Sequence, residues 1–148
     1  MLWLWLRFDE LGMHALYEAL AFRSRVFILE QGPYLDLDGH DQHSFHLLGR
    51  DPQGVLQCYL RVVQPGDKYA EPSIGRVITS PDVRGTGQGR ALMREGLRCT
   101  HEQWPGQGIR ISAQARLRAF YQALGFVPVG DEYIEDGIPH LEMLCRAP

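Results

Sequence analysis

Hydrophobic and polar positions along this 148-residue chain change period several times. The apolar run Trp3 to Phe8 predicts a buried strand. Asp9 can then cap a helix in which Met13, Leu16, Leu20 and Phe27 recur at helical spacing, carrying the chain to about Leu29. Gln31 to Gln42 is dense in Gly, Pro and Asp and predicts an irregular surface loop, where function often sits. Three strand-like runs follow, Ser44 to Leu48, Val55 to Val63 and Ser73 to Thr79, the first two separated by the turn Asp51-Pro52-Gln53-Gly54.

Helical spacing returns from Gly87 to Trp104, with Leu92, Gly96 and Cys99 on one face and Met93, Leu97 and Trp104 beside it, until Pro105-Gly106 stops it. A short strand, Ile109 to Ser112, leads to a helix from about Ala115 to Leu124 that Gly125 can end in the left-handed conformation. Strands near Phe126 to Tyr133 and His140 to Leu144 flank the turn dipeptide Asp136-Gly137. The expected order is strand, helix, three strands, helix, strand, helix, two strands, a mixed α+β arrangement in one domain over residues 1–148.

Composition narrows this picture. With 45% hydrophobic and 22% charged residues the chain suits a globular domain with a sizeable core. A net charge of -3 gives no field to draw nucleic acid or an anionic membrane. The N-terminal run ends at Arg7, well short of the roughly 20 residues a span needs, and it lacks the basic start of a secretory leader. Cys58, Cys99 and Cys145 are odd in number and have no paired spacing, which argues for reduced core thiols, hence a cytoplasmic location, and against a disulfide or zinc framework.

The strongest chemical signal is Arg84-Gly85-Thr86-Gly87-Gln88-Gly89, lying between a predicted strand and a predicted helix. Unpaired amides at a helix start, the helix dipole and three glycines let an oxyanion approach the backbone, with Arg84 and Arg90 adding charge. A pyrophosphate is the expected ligand. No Lys-Ser or Lys-Thr follows, so the run is not a nucleotide-hydrolysing loop, and Leu92 stands where the dinucleotide fingerprint has glycine.

The pattern Arg-x-x-Gly-x-Gly resembles the coenzyme A pyrophosphate loop of the GNAT N-acetyltransferases. Gln114 to Phe126 resembles that superfamily's second motif, with Gln114 where asparagine is common. From Trp5 to Met143 the chain is similar to one branch, the ElaA-like acetyltransferases. The shared residues include Arg23-x-x-Val26-Phe27, Glu30-Gln31, Pro33-Tyr34, Asp38-Gly39-x-Asp41, His46-Leu47, Ile74-Gly75-Arg76-Val77, Ser112-Ala113-Gln114-Ala115 and Glu135 to His140. The resemblance implies a mixed, mainly antiparallel sheet flanked by helices, whose fourth and fifth strands splay apart to admit the pantetheine arm of acetyl-CoA. It also implies an amine acceptor, small molecule or peptide, no metal, and the dimerisation common among relatives.

By the same resemblance Tyr121 faces the coenzyme sulfur and serves as general acid, and a backbone N–H at Val77 or Ile78, with Thr79 beside them, stabilises the oxyanion. Gln114 is an amide able to bond the pantetheine. Many relatives carry a basic glutamate on the fourth strand, where this chain has Ile74, Gly75, Arg76 and Val77. Glu30, Glu135 and His140 are the alternatives, and an imidazole titrates in the useful range. His40, His43 and His46, interleaved with Asp36, Asp38 and Asp41, do not read as a metal site, because spacing by three aligns ligands only on a helix and Gly39 argues for loop. The acidic loop is expected instead to attract a cationic amine. A noncatalytic coenzyme A sensor is the alternative class. Arg23, Phe27, Asp38, Asp41 and Arg61 also resemble the N-terminal half of acyl-homoserine-lactone synthases.

Overall fold

The computed structural model describes residues 1–30 and 35–148, with all side chains among them except those of Leu29 and Glu30. Eight strands form one mixed sheet: β1 (Leu2–Arg7), β2 (Ser44–Arg50), β3 (Leu56–Val63), β4 (Ser73–Thr79), β5 (Ile109–Gln114), β6 (Val127–Pro128), β7 (Tyr133–Glu135) and β8 (Ile138–Cys145). Their spatial order is β1-β2-β3-β4-β5-β8-β6, with β7 pairing β8. The helices are α1 (Phe8–Ser24), extended by a π-helical turn over Arg25–Glu30, α2 (Gln88–Gln103) and α3 (Arg118–Ala123).

The sheet carries a core on each face. Alternation along β2 sends Leu47 to one side, with Leu60, Leu92, Met93 and Phe126, and Leu48 to the other, with Ala19, Phe22 and Ile78. All eight residues of β3 are buried, as a central strand covered on both faces must be. Each fully buried Leu or Phe contributes roughly 1.5–3 kcal/mol by leaving water. Gly96 lets α2 settle onto β3, since a Cβ there would lie 2.7 Å from Leu60 Cδ2.

The first helix departs from its predicted face. Met13 is 86% exposed, and the buried positions are Leu11, then Ala19, Phe22, Arg23 and Val26. Gly12 is the cause: its φ of 76° and ψ of 164° break the helix after one turn and reset its phase. From there the buried track runs i, i+3, i+4, i+7 through a small alanine and an arginine, which hydrophobicity alone does not mark. The predicted strand Phe126 to Tyr133 is likewise divided into β6 and β7, with Gly130 at a φ of 82° between them. The predicted helix from Ala115 begins as a 3₁₀ turn, Ala115–Leu117, before α3. No helix among the described residues is long and apolar enough to cross a membrane.

Candidate active site

β4 and β5 run parallel but pair at a single position, Ser73 with Arg110, tied by Arg110 N–H donating to the Pro72 carbonyl at 3.0 Å. Beyond that point they diverge. β5 turns its ladder to β8, pairing over six positions from Ile109–Cys145 to Gln114–His140, while β4 stays with β3. The divergence leaves a cavity of about 770 Å³. Val77, Ile78 and Thr79 line it from β4, Gln114 from the end of β5, Tyr121 from α3 and His140 from β8. Among the described residues β4 and β5 form no pair past Ser73, so the gap admits a bound molecule beside the β4 backbone.

At the open end the chain passes from Thr79 through a 3₁₀ turn, Pro81–Val83, into the glycine run. Gly85 and Gly87 have φ of 80° and 85°, and Gly87 is the N-cap of α2. Apart from the adjoining residues and the helix's own backbone, no described heavy atom lies within 4 Å of where a Cβ would stand on Gly85, Gly87 or Gly89. A phosphate oxygen can therefore reach the backbone, where the first amides of the 16-residue α2 have no partner within the helix. Thr86 Oγ1 donates to the Val83 carbonyl and Arg84 Nε to the Thr79 carbonyl at 3.2 Å, fixing the turn against the end of β4. Arg84 and Arg90 are exposed beside it. The residues present fit a pyrophosphate-bearing thioester.

Tyr121 is 8% exposed, edge-on to Phe120 and Phe126, and burial pushes its hydroxyl up to about 12. It is protonated at neutral pH. The His140 Nδ1–H donates to the Ile138 carbonyl at 2.8 Å, and Nε2 faces Glu135 Oε2 at 3.4 Å. The ring stacks on Tyr133, whose hydroxyl bonds Ser112 Oγ. Gln114 Oε1 accepts from Arg116 Nε at 2.9 Å. The Glu30 side chain, with Gln31, Pro33 and Tyr34, lies outside the described residues.

The acidic loop has a different role from the one its sequence suggests. Asp36 and Asp41 are buried, and all three loop aspartates are claimed by arginines. Arg23 spans Asp36 Oδ2 at 3.0 Å and Asp41 Oδ1 at 2.8 Å, Arg61 forks onto Asp38 at 2.7 and 2.9 Å, and Arg76 takes Asp36 Oδ1 at 2.9 Å and Asp38 Oδ2 at 3.2 Å. Burial works against ionisation of Asp38 and Asp41, but their arginine hydrogen bonds and charge contacts outweigh it and hold both carboxyls below the usual range. Carboxylates neutralised in this way give an amine no free charge. His46 Nε2–H donates to the Asp41 carbonyl at 3.0 Å, so Nδ1 accepts from the Tyr59 hydroxyl at 2.6 Å, and burial pushes this imidazole below its ordinary value. Sequence reasoning missed this cluster; its one local sign is the presence of three arginines at otherwise apolar or strand positions.

Comparison with known proteins agrees with this geometry. Residues 40–147 match the family model for an acetyltransferase (GNAT) domain. A UPF0039 protein of Synechocystis sp. is 44% identical over 147 residues, covering 99% of this chain and 96% of the relative. The crystal structure of Escherichia coli ElaA superimposes with a TM-score of 0.91 at 38% identity, covering 98% of this chain and 99% of that one. An acyl-CoA N-acyltransferase from Pseudomonas aeruginosa gives 0.92 at 37%, with 97% of each chain covered. Matches of this extent, together with the splayed strands and the glycine turn at the start of α2, mean that the chain belongs to the GNAT acetyltransferase superfamily, in its ElaA-like branch, and is an acyltransferase.

Proposed function

We propose that the chain is an acetyl-CoA-dependent N-acetyltransferase that moves an acetyl group directly to an amine within a ternary complex. The observation that carries this reading is the single-residue contact between β4 and β5, which opens a wedge with the glycine turn at its mouth and the protonated Tyr121 hydroxyl on its wall. Acetyl-CoA supplies the activated acyl carbon as a thioester. The glycine turn, with Arg84 and Arg90, holds the pyrophosphate, and Gln114 lies beside the pantetheine path. His140 Nε2 takes the proton of the attacking amine. Backbone N–H groups at Val77 or Ile78 stabilise the carbonyl oxygen as it gains charge. As the C–N bond forms and the C–S bond breaks, Tyr121 gives its proton to the sulfur. Three buried, reduced thiols agree with a cytosolic setting and with transfer that needs no covalent enzyme intermediate.

The test is an acceptor screen with acetyl-CoA that follows release of free thiol, run beside Tyr121→Phe. The variant is expected to lose about 10²-fold in kcat with unchanged folding, in line with removal of a general acid. Undiminished turnover would remove Tyr121 from that role. Tight acetyl-CoA binding with no thiol release across a broad amine panel would mark a binding module instead of an enzyme.

A further inference from the structure

The acidic loop and the oxyanion-facing strand meet at one residue. In the β3–β4 ladder Tyr59 pairs with Ile78 and Arg61 with Gly75, so Leu60 alone stands opposite two residues, Arg76 and Val77. This is a bulge, and Arg76 sits on it at a φ of 53°. A non-glycine residue persists in the left-handed region only where its surroundings over-determine it. Here they do. Besides the Asp36 and Asp38 carboxylates, the guanidinium donates to the Asp36 carbonyl at 3.0 Å and lies over the Phe27 ring, 5.9 Å from its centroid. Asp36 is itself fixed by Arg23, buried on α1.

We propose that Arg76 is a positioning residue: clamped by Asp36 and Asp38, it holds the left-handed bulge of β4 and so aims the backbone donors of Val77 and Ile78 into the cleft. The inference rests on the acetyl-transfer reading above for what those donors do. Its physical content is separate, because an inserted residue shifts the alternation of every N–H beyond it, and the clamp decides whether the insertion keeps its shape. The chemistry also explains why arginine suffices where glycine would be the natural choice. Glycine reaches this φ without steric conflict, whereas arginine reaches it through three acceptors on one loop.

Arg76→Ala and Arg76→Gly separate the two roles the side chain could have. Alanine loses the clamp and resists the left-handed φ, while glycine loses the clamp but adopts that φ freely. The experiment measures thiol release from acetyl-CoA with an accepting amine and, in the free protein, the amide chemical shifts of Val77 and Ile78. Alanine is expected to move both shifts and to lower kcat roughly 10- to 100-fold with KM for acetyl-CoA within about threefold, the size of effect a misaimed oxyanion donor produces. Glycine is expected to keep the shifts near those of the parent and to recover most of kcat. Equal impairment of the two variants, or parental shifts and turnover in the alanine chain, would overturn the proposal. An alanine chain that cannot fold beside a glycine chain that can supports it, and failure of both to fold overturns it. If the parent protein releases no thiol with any amine, the acetyl-transfer reading fails, and the amide shifts still decide whether Arg76 sets the bulge.

Discussion

At Cys58 and Cys99 burial pushes the thiol up to about 11, and at Cys145 burial raises it as well. A thiol attacks through its thiolate, so none of the three is a competent nucleophile near neutral pH. The expected outcome is that a disulfide reagent at pH 8 modifies the native protein far more slowly than the urea-unfolded chain, which should yield three equivalents at once. Fast native modification of one cysteine would reopen a covalent route. The same burial acts on Tyr121, and in the proposed mechanism it keeps the hydroxyl protonated until the leaving sulfur takes the proton. His46 is a third case. Its two ring nitrogens are both committed, to Tyr59 and to the Asp41 carbonyl, so it supports the loop and is not available for catalysis.

Among the elements, the turn from β4 into α2 is the proposed donor site, and Gly87 is the N-cap on which it turns. With φ at 85°, an alanine there would be forced toward a left-handed conformation costing about 1–2 kcal/mol, and relaxing it would tilt the first amides of α2. Gly87→Ala is therefore expected to weaken acetyl-CoA binding by about tenfold or more, measured by calorimetry; unchanged affinity would mean that the turn does not grip the pyrophosphate. This element was legible in the sequence because everything it needs lies within six consecutive residues. The strands β2 and β3 were legible as short apolar runs bounded by turn residues, and α2 by its helical spacing of apolar positions. The face of α1 was not, since Gly12 resets the phase and Arg23 occupies a buried position. The Arg–Asp cluster was still less so: its bonds join residues 13 to 40 apart, and an aspartate-rich loop looks alike in sequence whether its charges are free or paired.

At the scale of the molecule, acid should unfold this protein in two stages, for reasons that lie in different parts of the structure. Burial lowers the pKa of both His46 and His101, the latter with a buried Nδ1 that has no hydrogen-bond partner among the described residues. A histidine whose folded value is depressed adds nothing above about pH 7.5, where both states are neutral. As pH falls through the unfolded value near 6.5, the unfolded chain takes up protons that the folded protein refuses, and stability declines by up to about 1.4 kcal/mol per pH unit for each group. The aspartates act later. Asp38 and Asp41 are held low by their arginines, so their contribution is complete above the unfolded carboxylate range near 4 and fades only as pH falls through their depressed folded values. That second stage takes apart the cluster joining α1, the loop, β3 and β4, and with it the bulge beside the cleft. Urea midpoints measured from pH 8 to pH 2 should be level above about 7.5, fall from about 6.5, and fall again below about 4. His101→Gln, which breaks no hydrogen bond of its Nδ1, should reduce the slope of the first stage by about half while leaving the second intact. A midpoint that stays level between pH 7.5 and 5 would show that these two imidazoles are not kept neutral by the fold.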